Sequence, residues 1–157
     1  MIKPLYIFDL DGTLSLTEHR VHLLHEGRRD GSAWRNFYAA CDLDPPNLPV
    51  IRTMEKLRNH ADVWIFSGRS DEVMDKTVHW LEKHTSFTSE DLLFKDMLTM
   101  RREGDNTEDH LLKESWLENM LHIDRKRLVA TFDDRRRVVD MWRSKRITCF
   151  QVAPGDF

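Results

Sequence analysis

Three short apolar runs in this chain each end on a polar or acidic pair. Leu5-Tyr6-Ile7-Phe8 runs into Asp9, Val63-Trp64-Ile65-Phe66 into Ser67-Gly68, and Leu128 to Phe132 into Asp133-Asp134. Largely apolar runs of strand length predict strands covered on both faces. Between them apolar residues recur at helical spacing, at 50, 51, 54 and 57, and again at Leu111, Leu112, Trp116, Leu117, Met120 and Leu121. Short strands alternating with helices confine the chain to α/β, a three-layer sandwich around a mainly parallel Rossmann-like sheet. Ligands in such sheets sit beyond the carboxyl ends of the strands. Asp9/Asp11, Ser67/Arg69 and Asp133/Asp134 are therefore expected in one crevice.

Helices are also expected near Thr17 to His25, Ser32 to Cys41 and Val138 to Arg143. Further strands are expected at Leu92 to Phe94 and Ile147 to Val152. Ser70 is placed to cap a helix whose first turn carries Asp71 and Glu72. The proline-rich stretch from Asp42 to Pro49 stops any helix before it. The simplest division is one domain over residues 1–157 with an inserted helical segment at 15–46 and no large cap.

The longest apolar run, Phe37 to Cys41, has five residues, against roughly 20 for a membrane span. No basic, apolar leader precedes the first strand, so a cytoplasmic protein without a signal peptide is expected. Cys41 and Cys149 lie far apart with no C-x-x-C, which excludes a zinc ribbon and predicts two reduced thiols. With 24 Lys plus Arg against 27 Asp plus Glu, the net charge of −3 gives no basic nucleic-acid footprint. The clusters Arg28-Arg29, Arg101-Arg102 and Arg135-Arg136-Arg137 could still meet phosphates. Trp34 and Phe37 could stack a base or pack the insert, and packing is expected. His19, His22 and His25 fall near one helix face, with no cysteine to complete a transition-metal site.

The chemistry concentrates in Phe8-Asp9-Leu10-Asp11-Gly12-Thr13. Two carboxylates two residues apart at a strand end project to one side, and Gly12 permits the sharp turn after them. They demand a compensating cation, as do the adjacent Asp133 and Asp134. Oxygen ligands of this kind suit Mg²⁺. The Ser67 hydroxyl, Gly68 and the N–H groups leading to Arg69 suit a phosphate. Asp109 and Lys113 stand one helical turn apart and can pair. Set against one Mg²⁺, Lys113, Arg69 and Arg20, the four carboxylates and a phosphomonoester dianion leave one negative charge. A proton on Asp11 would remove it and serve as a general acid.

These four motifs, in this order and strand context, resemble the haloacid dehalogenase phosphatase superfamily. Arg101 to Trp116, FDDRRRVVDMWR from Phe132 to Arg143 and the ending QVAPGDF are similar to the phosphatase domain of T-even phage polynucleotide kinases. That similarity runs from about Tyr6 to Phe157 and is weakest between Ser15 and Pro49. None of the six glycines precedes a lysine, so no P-loop for a kinase is present.

The resemblance implies that Asp9 is the nucleophile and that Asp11 protonates the leaving alcohol and then activates water. It implies that Ser67 and Lys113 hold phosphoryl oxygens. Mg²⁺ would be held by Asp9, Asp134 and the Asp11 backbone carbonyl, with Asp133 orienting its waters or Lys113. Arg20, Arg69 and Asp109 match further functional positions. The implied substrate is a 3′-phosphate at a nucleic-acid end or, alternatively, a free nucleotide, with a separate kinase or ligase as partner. The sequence leaves the oligomeric state open. A receiver-type phospho-acceptor is disfavoured because D-x-D-G-T supplies nucleophile and acid together. An inactive nucleic-acid binder is disfavoured by the complete motif set.

Overall fold

A strand at the centre of a sheet needs apolar side chains on both faces, and the first strand has them: Leu5, Ile7 and Phe8 are buried and Tyr6 half-buried. The computed structural model describes residues 1–26 and 31–156. Its strands are β1 (Leu5–Phe8), β2 (Asp62–Ser70), β3 (Leu98–Arg101), β4 (Leu128–Asp133) and β5 (Thr148–Gln151). All neighbours pair in parallel, in the order β3-β2-β1-β4-β5. The chain first builds outward from β1 to β3, then returns to the other side of β1. The crevice at that reversal opens at the carboxyl ends of β1 and β4, where ligands bind in sheets of this type.

The helices are α1 (His22–Glu26), α2 (Ser32–Ala39), α3 (Leu48–Arg58), α4 (Met74–His84), α5 (Asp109–Asn119), α6 (His122–Arg127) and α7 (Arg136–Ser144). Ile51 and Met54 of α3 and Trp80 and Leu81 of α4 bury one sheet face against Phe8 and Ile65. Leu117 of α5 and Val138, Val139 and Trp142 of α7 bury the other against Ile7, Phe66 and Cys149. Phe8 and Phe132 stack at 4.2 Å, and Phe132 continues to Phe150 at 5.0 Å. This gives the expected three-layer α/β sandwich, with no large cap among the described residues.

Three local expectations need correction. Leu92 to Phe94 is not a strand. Thr88 and Asp91 exchange backbone-to-side-chain hydrogen bonds of 3.2 Å each, which winds residues Glu90–Phe94 into a wide helical turn. Only Leu92 of that run is buried. The third strand is Leu98–Arg101, whose alternation places Leu98 and Met100 inward. The helix expected over Thr17 to His25 breaks at Val21 into a 3₁₀ turn, Glu18–Arg20, followed by α1. That takes His19 off the face of His22 and His25. The stripe through Leu121 also divides, because Met120 is extended between α5 and α6, leaving Leu111 and Leu121 exposed.

Trp80 and Trp142 are core residues as expected, and Trp116 is half-buried. Cys41 and Cys149 are free and buried, and burial pushes both thiols up, Cys149 to about 11. Arg28 and Arg29 lie outside the described residues. Between residues 15 and 46 the chain leaves the sheet and returns. Ser15 and Pro46 form an antiparallel bridge where it rejoins, and Asn47 donates from its side chain to the Thr13 carbonyl at 2.9 Å. Among the described residues no helix is long and apolar enough to cross a membrane.

Candidate active site

The turn after β1 is wound around one carbonyl. The N–H groups of Thr13, Leu14 and Ser15 all donate to the Leu10 oxygen, at 3.1, 2.9 and 3.0 Å. Gly12 makes this possible with φ +83°, and a Cβ there would overlap the Asp134 carboxylate. The same turn buries the Thr13 hydroxyl, which donates to Asp9 at 3.2 Å and lies 3.4 Å from Asp134. Asp9, Asp133 and Asp134 bring carboxylate oxygens within 4.8 Å of one another.

Lys113 rises from α5 beneath them, itself 1% exposed. Its Nζ donates to Asp9 Oδ1 at 2.7 Å and to Asp133 Oδ2 at 2.8 Å, and lies 3.5 Å from Asp109. The Asp109–Lys113 pair is therefore a buried part of the crevice floor. One ammonium does not balance three clustered carboxylates. Burial, followed by the neighbouring Asp133, raises the Asp9 carboxyl well above its usual range against the pull of Lys113. Burial, again followed by Asp133, raises Asp134 to about 6. Burial alone would lower the Lys113 ammonium, but Asp109, Asp133 and Asp9 outweigh it and hold it charged. Such a set fits a hard divalent cation with oxygen ligands. Asp9, Asp133 and Asp134 would hold it, and the Asp11 side chain is not among them.

Asp11 faces the crevice but is otherwise engaged. Its carboxylate accepts from Arg20 Nη2 at 2.8 Å and from Arg69, and Ser15 donates to it at 3.2 Å. Burial pushes its pKa up, yet Arg69 and Arg20 prevail and take it down to about 2. In this arrangement the two arginines favour the ionised form of Asp11. Asp9 and Asp11 line one crevice but answer to different cations.

A further acid, Asp44 of the proline-rich stretch, joins these cations. Its buried carboxylate accepts from Arg20 Nε at 2.7 Å and Nη2 at 2.6 Å, from Arg69 Nη2 at 3.3 Å, and meets His19 Nε2 at 2.7 Å. Its carbonyl accepts from Trp80 at 2.8 Å. Arg20 also donates to the Phe37 carbonyl at 2.9 Å, and its guanidinium lies 4.0 Å over the Phe37 ring. Arg20 and Arg69 are thus charge-paired with Asp11 and Asp44, and Arg69 also lines the cleft. No local sequence signal marks Asp44, because the burial of Arg20 and Arg69 that calls for a second acid is a property of the fold. Asp44→Ala is expected to lower the unfolding free energy by about 3–5 kcal/mol, the usual effect of removing one partner of a buried pair. A urea titration checks this, and a loss under about 1 kcal/mol would show the arginines to be solvated.

Ser67 is fully buried, and its hydroxyl accepts from the Arg69 N–H at 3.2 Å. The Gly68 carbonyl accepts from Tyr38 Oη at 3.1 Å and Arg101 Nε at 2.8 Å, and a Cβ at Gly68 would overlap the Asp109 carboxylate. Asp109 Oδ1 is buried without a hydrogen-bond donor, with Arg101 Nη2 at 3.6 Å. Arg101 also donates to the carbonyls of Asp105 (3.1 Å) and Thr107 (2.5 Å), so it braces the loop after β3. Arg136 and Arg137 pair with Asp140 and Glu108 at 3.3 and 3.2 Å.

The last residue of β5 and those following it brace the Asp133-Asp134 turn, a role not read from the sequence. Gln151 Nε2 donates to the Asp134 carbonyl at 3.0 Å, and the N–H groups of Val152 and Arg136 donate to Asp133 (3.0 Å) and Gly155 (2.7 Å). Gly155 packs so closely on the Asp134 backbone that a Cβ would collide with it. Above the floor opens a cleft of about 950 Å³, lined by Asp9, Asp11, Arg69, Asp109, Asp133 and Asp134 below and by Trp34 and Tyr38 of the 15–46 segment on one wall.

Residues 3–157 match the family model described as the polynucleotide kinase PNKP phosphatase domain. A protein of Autographa californica nuclear polyhedrosis virus named "Putative bifunctional polynucleotide kinase/RNA ligase" is 32% identical over 147 residues, covering 92% of this chain and 18% of that protein. In the solved Pnkp1/Rnl/Hen1 RNA repair complex, one chain is 32% identical with a TM-score of 0.73, over 99% of this chain and 44% of that one. The class C acid phosphatase of Bacillus anthracis shares the fold at 13% identity, with a TM-score of 0.61 over 99% of this chain and 67% of its own. The chain thus spans under half the length of the viral and RNA-repair relatives.

Proposed function

Since the chain belongs to the family of polynucleotide kinase PNKP phosphatase domains, and is a phosphatase, we propose that it removes 3′-phosphates from nucleic-acid ends through a phospho-Asp9 intermediate with Mg²⁺ bound. The observation that carries this reading is the Asp9 carboxylate, held 2.7 Å from Lys113 at the carboxyl end of the central strand and open to a cleft. Lys113 orients the nucleophile and neutralises incoming phosphoryl oxygens. An Asp9 oxygen bonds to phosphorus as the bond to the substrate's 3′ oxygen breaks, and that oxygen takes a proton from Asp11. Water then gives a proton to Asp11 and bonds to phosphorus, releasing inorganic phosphate and freeing Asp9. When bound, Mg²⁺ supplies charge stabilisation on the transferred group.

The ionised Asp11 of the resting arrangement is ready for the proton-accepting half. For the donating half, an entering phosphate dianion raises its pKa, and a monoanionic substrate brings the proton with it. The names of the viral and RNA-repair relatives support a place in end repair, with a kinase or ligase activity supplied alongside. Free nucleotides are the second reading, because a cleft of about 950 Å³ also accommodates a single nucleotide.

Phosphate release with Mg²⁺ and with chelator decides between them. The matched substrates are an oligonucleotide 3′-phosphate, the same chain with a 5′-phosphate, and 3′- and 5′-mononucleotides. The expected result is Mg²⁺-dependent release with kcat/KM highest for the oligonucleotide 3′-phosphate. A higher value for mononucleotides would move the reading to nucleotide metabolism with the same chemistry.

A further inference from the structure

Two aromatic residues of α2 were expected to pack, and only one does. Phe37 is 6% exposed beneath the Arg20 guanidinium, whereas Trp34 is 45% exposed on the cleft wall. The Trp34 indole leans on Tyr38 at 5.8 Å and on the edge of Phe37 at 5.8 Å, which fixes its plane without covering it. Val21 and Leu24 line the same wall. One turn along α2, Tyr38 donates to the Gly68 carbonyl of β2, between Ser67 and Arg69. The apolar wall and the phosphate floor are thereby held at a set separation.

We infer that Trp34 is the stacking surface for the nucleobase of the terminal nucleotide, whose phosphate lies on Asp9 and Lys113. This rests on the proposed reading that the substrate is a nucleotidyl phosphomonoester, and it adds the residue that recognises the base. An exposed indole beside a buried anion site suits a ligand with a flat aromatic group at one end and a phosphate at the other. Stacking also accepts any base, since each has a π face. In the lining of the same cleft, Arg102 is exposed and has no acidic partner among the described residues, leaving a cation for the phosphate of the preceding nucleotide.

The test compares KM for an oligonucleotide 3′-phosphate carrying its terminal base with KM for the same oligonucleotide ending in an abasic 3′-phosphate. In the unmodified chain the base-bearing end is expected to have the lower KM, by about 5- to 50-fold. Trp34→Leu is expected to collapse that ratio towards one, while Trp34→Phe keeps most of it. The ratio is independent of the folded fraction, so partial loss of folding does not imitate the effect. Equal KM values in the unmodified chain, or Leu preserving the ratio as well as Phe, would overturn the stacking assignment and leave the phosphatase reading intact. Release from simple alkyl phosphates with none from either oligonucleotide would overturn the substrate reading and the stacking with it.

Discussion

Replacing Asp9 with Asn is expected to cut phosphate release by about 10⁴-fold or more, the scale seen when a nucleophile is lost from a unit that acts together. An amide nitrogen or oxygen in that place does not form the ester-like bond to phosphorus, so both half-reactions stop. The fold should survive. Asn keeps the side-chain shape, and although the bond from Lys113 weakens, a buried charge beside Asp133 and Asp134 disappears. Burial and Asp133 are the leading influences that raise the Asp9 carboxyl, so its ionised form strains the metal-free cluster. The unfolding free energy is expected to move by less than about 2 kcal/mol. Acid quenching after a short exposure to ³²P-labelled substrate should leave label on the unmodified protein and none on Asp9→Asn. Retention of more than a tenth of the activity by purified, Mg²⁺-saturated Asp9→Asn would remove Asp9 from the role of nucleophile.

Much of this site was legible because its residues sit at strand ends. The apolar runs before Asp9, Ser67 and Asp133 are strands, and a parallel sheet brings their carboxyl ends together whatever separates them in sequence. Lys113 was legible through its spacing from Asp109, though the spacing did not show that the pair is buried. Leu92 to Phe94 misled because three apolar residues in a row do not distinguish a strand from a buried turn. The Thr88–Asp91 exchange decided it.

Asp44 was hidden for a different reason. Its partners Arg20 and Arg69 lie 24 and 25 positions away, on a 3₁₀ turn and on β2, and no local period connects them. Once the arginines are seen to be bound by Asp44 and Asp11, the charge count at the reacting centre changes. Lys113 becomes the cation that meets Asp9 directly, and three carboxylates surround it with too little positive charge.

That shortfall sets the second large effect. Chelation of divalent cations is expected to abolish turnover, and Mg²⁺ is expected to raise the Tm. At a hundredfold excess over the Kd, binding to the folded state alone contributes about 2.7 kcal/mol, or about 5–10 °C for a chain of this size. The pH dependence follows from the raised carboxyls. A group whose pKa is higher in the folded state than in the unfolded one subtracts stability as pH rises through that interval. Asp134, raised to about 6 from an ordinary 3.8, therefore weakens the metal-free fold progressively between about pH 4 and pH 6, and Asp9 and Asp133 act in the same direction. Mg²⁺ relieves this repulsion only once the carboxylates are ionised. The Mg²⁺-induced rise in Tm should thus be small at pH 5 and largest above pH 7, and it should shrink in Asp134→Asn. Thermal unfolding followed by circular dichroism, with Mg²⁺ and with EDTA at both pH values, checks the sign and the size together. Full activity in EDTA, with no Mg²⁺-dependent shift in Tm at pH 7.5, would mean that Lys113 balances the cluster without a metal.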